Sequence, residues 1–402
     1  MREHPVKMNK MNESPERAKE LMHLQEDIHS ILADRRLDKG RDRWTDMLNT
    51  VTVQDVECEL SRPTGKFTLE RLTTFISPSA EIYLEQMAQQ ARKLTIQRFG
   101  KTIQLYAPLY VSNVCINCCR YCGYNADTHV QRTRLTIEQA LADADVIASE
   151  GFRHLLLVSG EDKEFVSTDY LCELAEKLSK KFSSLSIEIY PMTQAEYSRV
   201  FAAGIDGVAL YQETYDRDTY AQYHLAGPKA DYNNRLDTPD RFAAAGMRNL
   251  GLGFLLGLSD WRIETLALAQ HASYLMKKYW RAKIDFSFPR IRPATNVQDL
   301  WPHLVSDANM VQMMLALRLC FADAGIVLST REAPEFRDNL MNLCITRMSA
   351  GSKTNPGGYA SEKNAAEQFQ IADDRSPQEV AQVIKSHGCE AVWKDWDASF
   401  NK

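Results

Sequence analysis

Cys115-Ile116-Asn117-Cys118-Cys119-Arg120-Tyr121-Cys122-Gly123-Tyr124 is the stretch on which the reading of this chain turns. Cys115, Cys119 and Cys122 fall in a CxxxCxxC spacing, which brings three thiols into one short loop, close enough to hold a single iron-sulfur cluster. A fully ligated four-iron cluster uses four protein ligands, so three cysteines leave one iron with an open position where chemistry can occur. Two other uses of the thiols compete. A Cys3His zinc knuckle would recruit His129, but zinc sites are usually built from paired knuckles. A disulfide fits less well still, and Cys118, whose Cβ points away from that of Cys119, reads as a bystander.

The remaining cysteines, Cys58, Cys172, Cys320, Cys344 and Cys389, are scattered singly, unlike a disulfide scaffold, and fit a reducing compartment. With 402 residues and 44% hydrophobic content the chain can bury a large core, as one α/β barrel or two medium domains. A net charge of -5 gives no global drive towards nucleic acid or anionic membrane. No run of 18 apolar residues occurs, and Met1 to Lys10 lacks the apolar core of a signal peptide, so the expected location is cytoplasmic.

Outward from the cysteines, strand and helix patterns alternate as in parallel βα units. Eight strands are expected: Ile103–Val111, His154–Val158, Ser186–Tyr190, Gly207–Tyr211, Asn249–Leu256, Ile284–Phe288, Ile326–Ser329 and Asn342–Thr346. Thr136 with Gln139 makes a capping box for a helix that Gly151 ends, and Thr238-Pro239 opens another that Gly246 ends. Eight repeats in about 250 residues match a closed (β/α)8 TIM-type barrel; a doubly wound open sheet is the alternative. Upstream, Ser79 is expected to cap a helix through Leu94 that Gly100 closes, lying across the bottom of the barrel. Residues 1–50 are charged, with a weak helical pattern from Pro15 to Arg35, and are expected to form a peripheral helix or a partly disordered arm. The expected division is a charged arm (1–50), N-terminal helices (51–100), the barrel (101–352) and a C-terminal extension packing on it (353–402).

Chemistry in such barrels gathers at the carboxyl ends of the strands, and the cysteine loop directly follows the first. Ser159-Gly160-Glu161 puts a carboxylate after the second strand, suited to an ammonium group. Tyr211-Gln-Glu213-Thr-Tyr215 follows the fourth, with Arg235 nearby to meet a carboxylate. The glycines of Gly251-Leu-Gly253 lack the spacing of a dinucleotide fingerprint and are expected to let a flat ring approach the backbone. Phe288-Pro-Arg-Ile-Arg-Pro293, Ser329-Thr-Arg-Glu332 and Met348-Ser-Ala-Gly-Ser-Lys353 supply cations and hydroxyls for a substrate carboxylate. Any of these groups can instead close a structural ion pair.

The cysteine spacing, with aromatic Tyr121 before the last thiol, resembles the signature of radical S-adenosylmethionine (SAM) enzymes. From about Asp42 onward the chain resembles one branch closely, the tyrosine lyases of thiazole (thiamine) biosynthesis. The resemblance rests on Tyr83-Leu-Glu-Gln-Met-Ala-Gln89, Ala107-Pro-Leu-Tyr-Val-Ser-Asn113, the cysteine loop, Tyr211-Gln-Glu-Thr-Tyr215, Gly251-Leu-Gly253, Phe288–Pro293, Ser329–Glu332, Pro356-Gly-Gly-Tyr359 and Ala391-Val-Trp-Lys-Asp-Trp-Asp397. It implies a radical SAM barrel and a [4Fe-4S] cluster on Cys115, Cys119 and Cys122. It further implies Tyr121, Glu161, Glu213 and Arg235 around SAM, and Arg331 and Ser349 at the substrate carboxylate. The implied reaction takes a hydrogen atom from the amino group of L-tyrosine and breaks the Cα–Cβ bond, giving 2-iminoacetate (dehydroglycine) and p-cresol. The implied partners are thiazole synthase and a reductant such as flavodoxin or ferredoxin, with neither nucleic acid nor membrane.

Rivals are the tyrosine lyase of hydrogenase cofactor maturation, a tryptophan lyase, and a non-catalytic iron-sulfur scaffold. The first carries a second cluster on a C-terminal cysteine motif, whereas only Cys389 follows Cys344 here. A scaffold would be expected to lack Glu161, Glu213 and Arg235.

Overall fold

The computed structural model describes residues 27–294, 297, 301–361 and 365–395. Eight parallel strands close a barrel: β1 (Thr102–Ser112), β2 (His154–Ser159), β3 (Ser184–Glu188), β4 (Gly207–Ala209), β5 (Asn249–Gly253), β6 (Lys283–Ser287), β7 (Gly325–Leu328) and β8 (Arg347–Ser349). Neighbours pair in chain order, and β1 joins β8 at Gln104–Tyr106 and β2 at Ala107–Ser112. The open-sheet alternative therefore does not apply. A ninth parallel strand, β9 (Glu390–Val392), pairs with Thr102–Gln104 at the start of β1 and lies outside the eight expected strands.

The strand and helix signals held where pattern and cap agree. Thr136 and Gln139 form the reciprocal capping box of helix Ile137–Ser149, and Gly100, Gly151 and Gly246 take positive φ after their helices. The eighth strand differs. The apolar run expected there is a turn whose Cys344 and Ile345 bury in the core, and the strand itself begins at Arg347. Periodicity cannot separate a buried apolar turn from a short buried strand. Ser79 is not a helix cap: Pro78–Tyr83 is a 3-10 turn, Ser79 Oγ donates to the Val51 carbonyl at 2.6 Å, and the helix runs Leu84–Phe99, packed on the outer helix Asp307–Cys320.

The described part of the N-terminal arm is more ordered than its charge suggested. Helices Ile28–Asp34 and Asp42–Thr50 bury Ile28, Leu32, Trp44 and Leu48 in the same core as the barrel. Arg41, 7% exposed, reaches Glu264 Oε1 at 2.7 Å and Asp216 at 3.3 Å, so the charges pin the arm rather than solvate it. Positions 1–26, with the first part of the helical pattern from Pro15, lie outside the described residues.

The C-terminal extension folds back over the mouth of the barrel. Tyr359 Oη donates to the Pro108 carbonyl at 2.8 Å, and Gly123 N–H to the Gln368 carbonyl at 3.3 Å. Arg337 and Asp373, both fully buried, pair beneath this segment, with Arg375 also on Asp373. Among the described residues no helix is long and apolar enough to cross a membrane.

Candidate active site

The carboxyl ends of the strands open into one cavity. Cys115, Cys119, Tyr121 and Cys122 reach it after β1, Glu161 after β2, Glu188 at the end of β3, and Glu213 after β4. Arg235 follows, then Arg331 after β7 and Ser349 at the end of β8. The three cysteines and the residues expected around SAM and the substrate carboxylate thus line the same space, together with Lys229, Arg292, Tyr106, Tyr110, Gln368 and Phe369.

The cysteine loop is held without secondary structure of its own. Cys118 exchanges backbone hydrogen bonds with Leu225 and Ala226, and Arg120 N–H bonds the Tyr223 carbonyl, so segment 223–226 clasps the loop from one side. Arg132 donates to the carbonyls of Asn113, Tyr124 and Asn125 from another. Glu161 N–H points at Cys115 Sγ (3.4 Å) and Tyr124 N–H at Cys122 Sγ (3.4 Å). Donors aimed at sulfur stabilise negative thiolates and set the potential of a cluster held by them. Burial pushes the Cys119 thiol up to about 12, partly offset by Lys229, so its thiolate needs a cation such as iron beside it.

These residues fit a cluster and SAM. His129 is exposed and does not line the cavity that Cys115, Cys119 and Cys122 reach. That removes the structural support for a Cys3His zinc knuckle. Cys118 does not line the cavity either. Beside the cysteines, Glu161 is 5% exposed; its Oε2 accepts from Asn117 Nδ2 at 2.7 Å, while its buried Oε1 accepts no hydrogen bond among the described residues and has Lys163 Nζ 3.9 Å away. An orphaned carboxylate oxygen facing a cavity is a receptor for an ammonium group.

Gly160 makes this approach possible. A Cβ there would collide with the Val114 carbonyl and stand 3.0 Å from Cys115 Cβ. Gly160→Ala is expected to push the first cysteine out of place and lower iron retained per chain, after anaerobic reconstitution, by about tenfold or more.

Tyr121 is fixed through its hydroxyl. His224 Nδ1 lies 2.8 Å from the Tyr220 carbonyl, which assigns the ring proton to that nitrogen and leaves Nε2 to accept from Tyr121 Oη at 2.8 Å. Burial drives the His224 pKa down to about 3, consistent with a neutral acceptor. Glu213 adopts φ 69°, a left-handed conformation that is strained for a side chain. Burial raises its pKa, but Lys229 Nζ at 2.7 Å and Arg235 at 3.4 Å outweigh it and hold the carboxyl below its usual range.

Some expectations need correction. Arg235 lines the cavity and donates Nε to the Tyr211 carbonyl and Nη2 to Glu213, so the structural ion pair weighed beside a ligand contact does form. Of the two arginines after β6, Arg290 is taken by Glu332 and Asp307, while Arg292 reaches the cavity and meets Glu332 at 3.1 Å. Gly251 and Gly253 do not line the cavity: a Cβ on Gly251 would meet Ala209 Cβ at 2.9 Å, and one on Gly253 would meet Tyr211 Cδ1 at 2.8 Å. They make room for a neighbouring strand and for Tyr211, not for a ligand's ring.

Glu188 and Lys229 were missed. Lys229 comes long after β4, beyond an intervening helix, and the expected third strand ran on to Tyr190, which put Glu188 inside a strand, whereas β3 ends at Glu188. Arg331 stacks its guanidinium on Phe369, 3.4 Å from the ring centroid, and makes no salt bridge among the described residues.

The comparisons with known proteins define the class first. Residues 109–269 match the Radical SAM superfamily, and residues 287–390 match the Biotin and Thiamin Synthesis associated domain. The chain is 42% identical over 360 residues to the 2-iminoacetate synthase of Escherichia coli K12, covering 88% of this chain and 94% of that protein. It is similar in structure to HydG, a maturase of the [FeFe]-hydrogenase (TM-score 0.82, 32% identity, 88% of this chain and 80% of that one). The HydG of Carboxydothermus hydrogenoformans is also similar (TM-score 0.80, 30% identity, 92% and 86%). The chain is a radical SAM enzyme with a [4Fe-4S] cluster and SAM as cofactors. Within that class it belongs to the 2-iminoacetate synthase family.

Proposed function

We propose that this chain cleaves the Cα–Cβ bond of L-tyrosine to 2-iminoacetate and p-cresol, with SAM consumed to methionine and 5'-deoxyadenosine. The observation that carries this reading is the convergence on one cavity of three cysteines, the open carboxylate of Glu161 and the guanidinium of Arg331, which meets no carboxylate among the described residues. Bound and reduced, the cluster and SAM supply a one-electron cleavage that delivers a 5'-deoxyadenosyl radical. The protein's task is to position and to exclude water.

In this reading Cys115, Cys119 and Cys122 hold the cluster. Glu161 Oε1 takes the methionine ammonium, Tyr121 lies along the adenine, and Glu213, kept ionised by Lys229 and Arg235, receives polar groups of SAM. Arg331 and Ser349 hold the substrate carboxylate, with Phe369 keeping the guanidinium plane fixed. Residues 101–352 act as the catalytic barrel and 353–402 as its cover, with 51–100 as supporting helices and 1–50 as an arm of no assigned role. Thiazole synthase as consumer of 2-iminoacetate, a flavodoxin or ferredoxin as electron source and a cytoplasmic location belong to the same proposal.

Loss of the acceptor for Tyr121 is expected to be mild. His224→Phe keeps a ring on Tyr220, and SAM binding to the cluster-loaded enzyme should weaken about 3- to 10-fold, the worth of one neutral hydrogen bond. Substrate identity is tested by anaerobic turnover with tyrosine or tryptophan, quantifying 5'-deoxyadenosine, p-cresol and carbon monoxide. p-Cresol from tyrosine without carbon monoxide supports the reading. Carbon monoxide would move the chain to the hydrogenase-type rival, and turnover of tryptophan alone to the tryptophan lyase.

A further inference from the structure

We propose that Glu188 is a catalytic residue that receives the α-ammonium of the substrate and takes one proton from it, so that the bound amino acid presents a neutral amine. This rests on the tyrosine reading above and deepens it.

Three carboxylates line the cavity: Glu161 stands beside the cysteines, where the reading above gives its open oxygen to the methionine ammonium, and Glu213 is clamped by Lys229 and Arg235. Glu188 forms no salt bridge among the described residues; its hydrogen-bonding neighbour is the hydroxyl of Tyr211. Around it stand Tyr106 and Tyr110 of β1, Tyr211, Glu213 and Lys229 after β4, and Arg331 after β7. Arg331 and Glu188 act on each other's charge across the cavity without pairing directly. In an α-amino acid the carboxylate and the ammonium are separated by one carbon. A carboxylate on Arg331 therefore brings the ammonium towards Glu188, and one cation and one anion meet both ends of a zwitterion.

The chemistry needs such a group. A hydrogen atom leaves an amine nitrogen more readily than an ammonium, whose positive charge opposes loss of electron density. The step is a heterolysis of one N–H bond: the proton moves to Glu188 Oε, the electron pair stays on nitrogen, and the neutral carboxylic acid releases its proton to water when products leave. Burial, then Glu213, raise the Glu188 carboxyl from its ordinary value to about 7, against the opposing pull of Arg331, Tyr211 and Lys229. A base poised near neutrality can take and return a proton in each cycle.

The test uses cluster-loaded enzyme under anaerobic conditions and two ligands, L-tyrosine and 3-(4-hydroxyphenyl)propionate, the same skeleton without its amino group. Glu188→Gln is expected to lose about 10- to 100-fold in affinity for tyrosine and none for the desamino ligand. It should also lose the acid limb near pH 7 in kcat/KM for p-cresol formation, where protonated Glu188 can no longer accept. Glu188→Asp keeps the carboxylate and should keep the limb, which decides the matter if the glutamine variant does not retain its cluster. Unchanged tyrosine affinity, an equal loss for both ligands, or an acid limb persisting in Glu188→Gln would overturn the assignment alone. A wild-type enzyme that makes no p-cresol from tyrosine would sink the tyrosine reading and this assignment with it.

Discussion

Cys119→Ala should leave a folded barrel that retains no functional cluster and forms no 5'-deoxyadenosine. The side chain is 5% exposed at the cavity wall, and its backbone is already fixed by a bridge to His224, so the change deletes a sulfur without loosening the loop. Two cysteines cannot hold three irons. Altering groups behind a metal ligand costs about 10–100-fold, and removing a ligand outright should exceed that. Iron per chain and the visible absorption of the reconstituted protein check the first point, and chromatography of the nucleoside the second. Cys118→Ala is the control: its thiol stands outside the cavity, and both readouts should stay at wild-type level.

Arg331→Ala should separate cleavage of SAM from cleavage of tyrosine. The guanidinium is braced on Phe369 and touches the Arg290 carbonyl at 3.4 Å, leaving its fork free of any carboxylate of the described protein. A charge-assisted, two-pronged contact to a substrate carboxylate is worth about 2–4 kcal/mol, so kcat/KM for p-cresol should fall roughly 30- to 1000-fold. 5'-Deoxyadenosine should still form, since Glu161 and the cysteines are untouched. Arg331→Lys restores the charge but not the planar fork, and should recover only part of the loss. A parallel fall in both products would instead place Arg331 at SAM.

The barrel was legible because eight apolar runs alternate with capped helices, a pattern that few other folds produce. Its closing strand was not, because Cys344 and Ile345 are as apolar as a strand while forming a turn, and because β9 joins β1 from a tail far along the chain. At the site, residues that follow a strand end or stand in a spaced motif could be named in advance. Lys229 is brought to Glu213 by a loop whose Gly227 passes close to Asn117, a tertiary arrangement with no local signal. The order of the arm from Asp27 was likewise hidden: Arg41, Asp38 and Arg217 look like solvated charge in sequence, and only their pairing partners reveal a packed interface.

The most direct test is the product balance of the reconstituted wild-type enzyme, measured anaerobically with reductant, SAM and L-tyrosine. Equimolar 5'-deoxyadenosine, p-cresol and glyoxylate, the last from hydrolysis of 2-iminoacetate, is the predicted result. 5'-Deoxyadenosine formed by a fully loaded cluster without p-cresol would contradict the account.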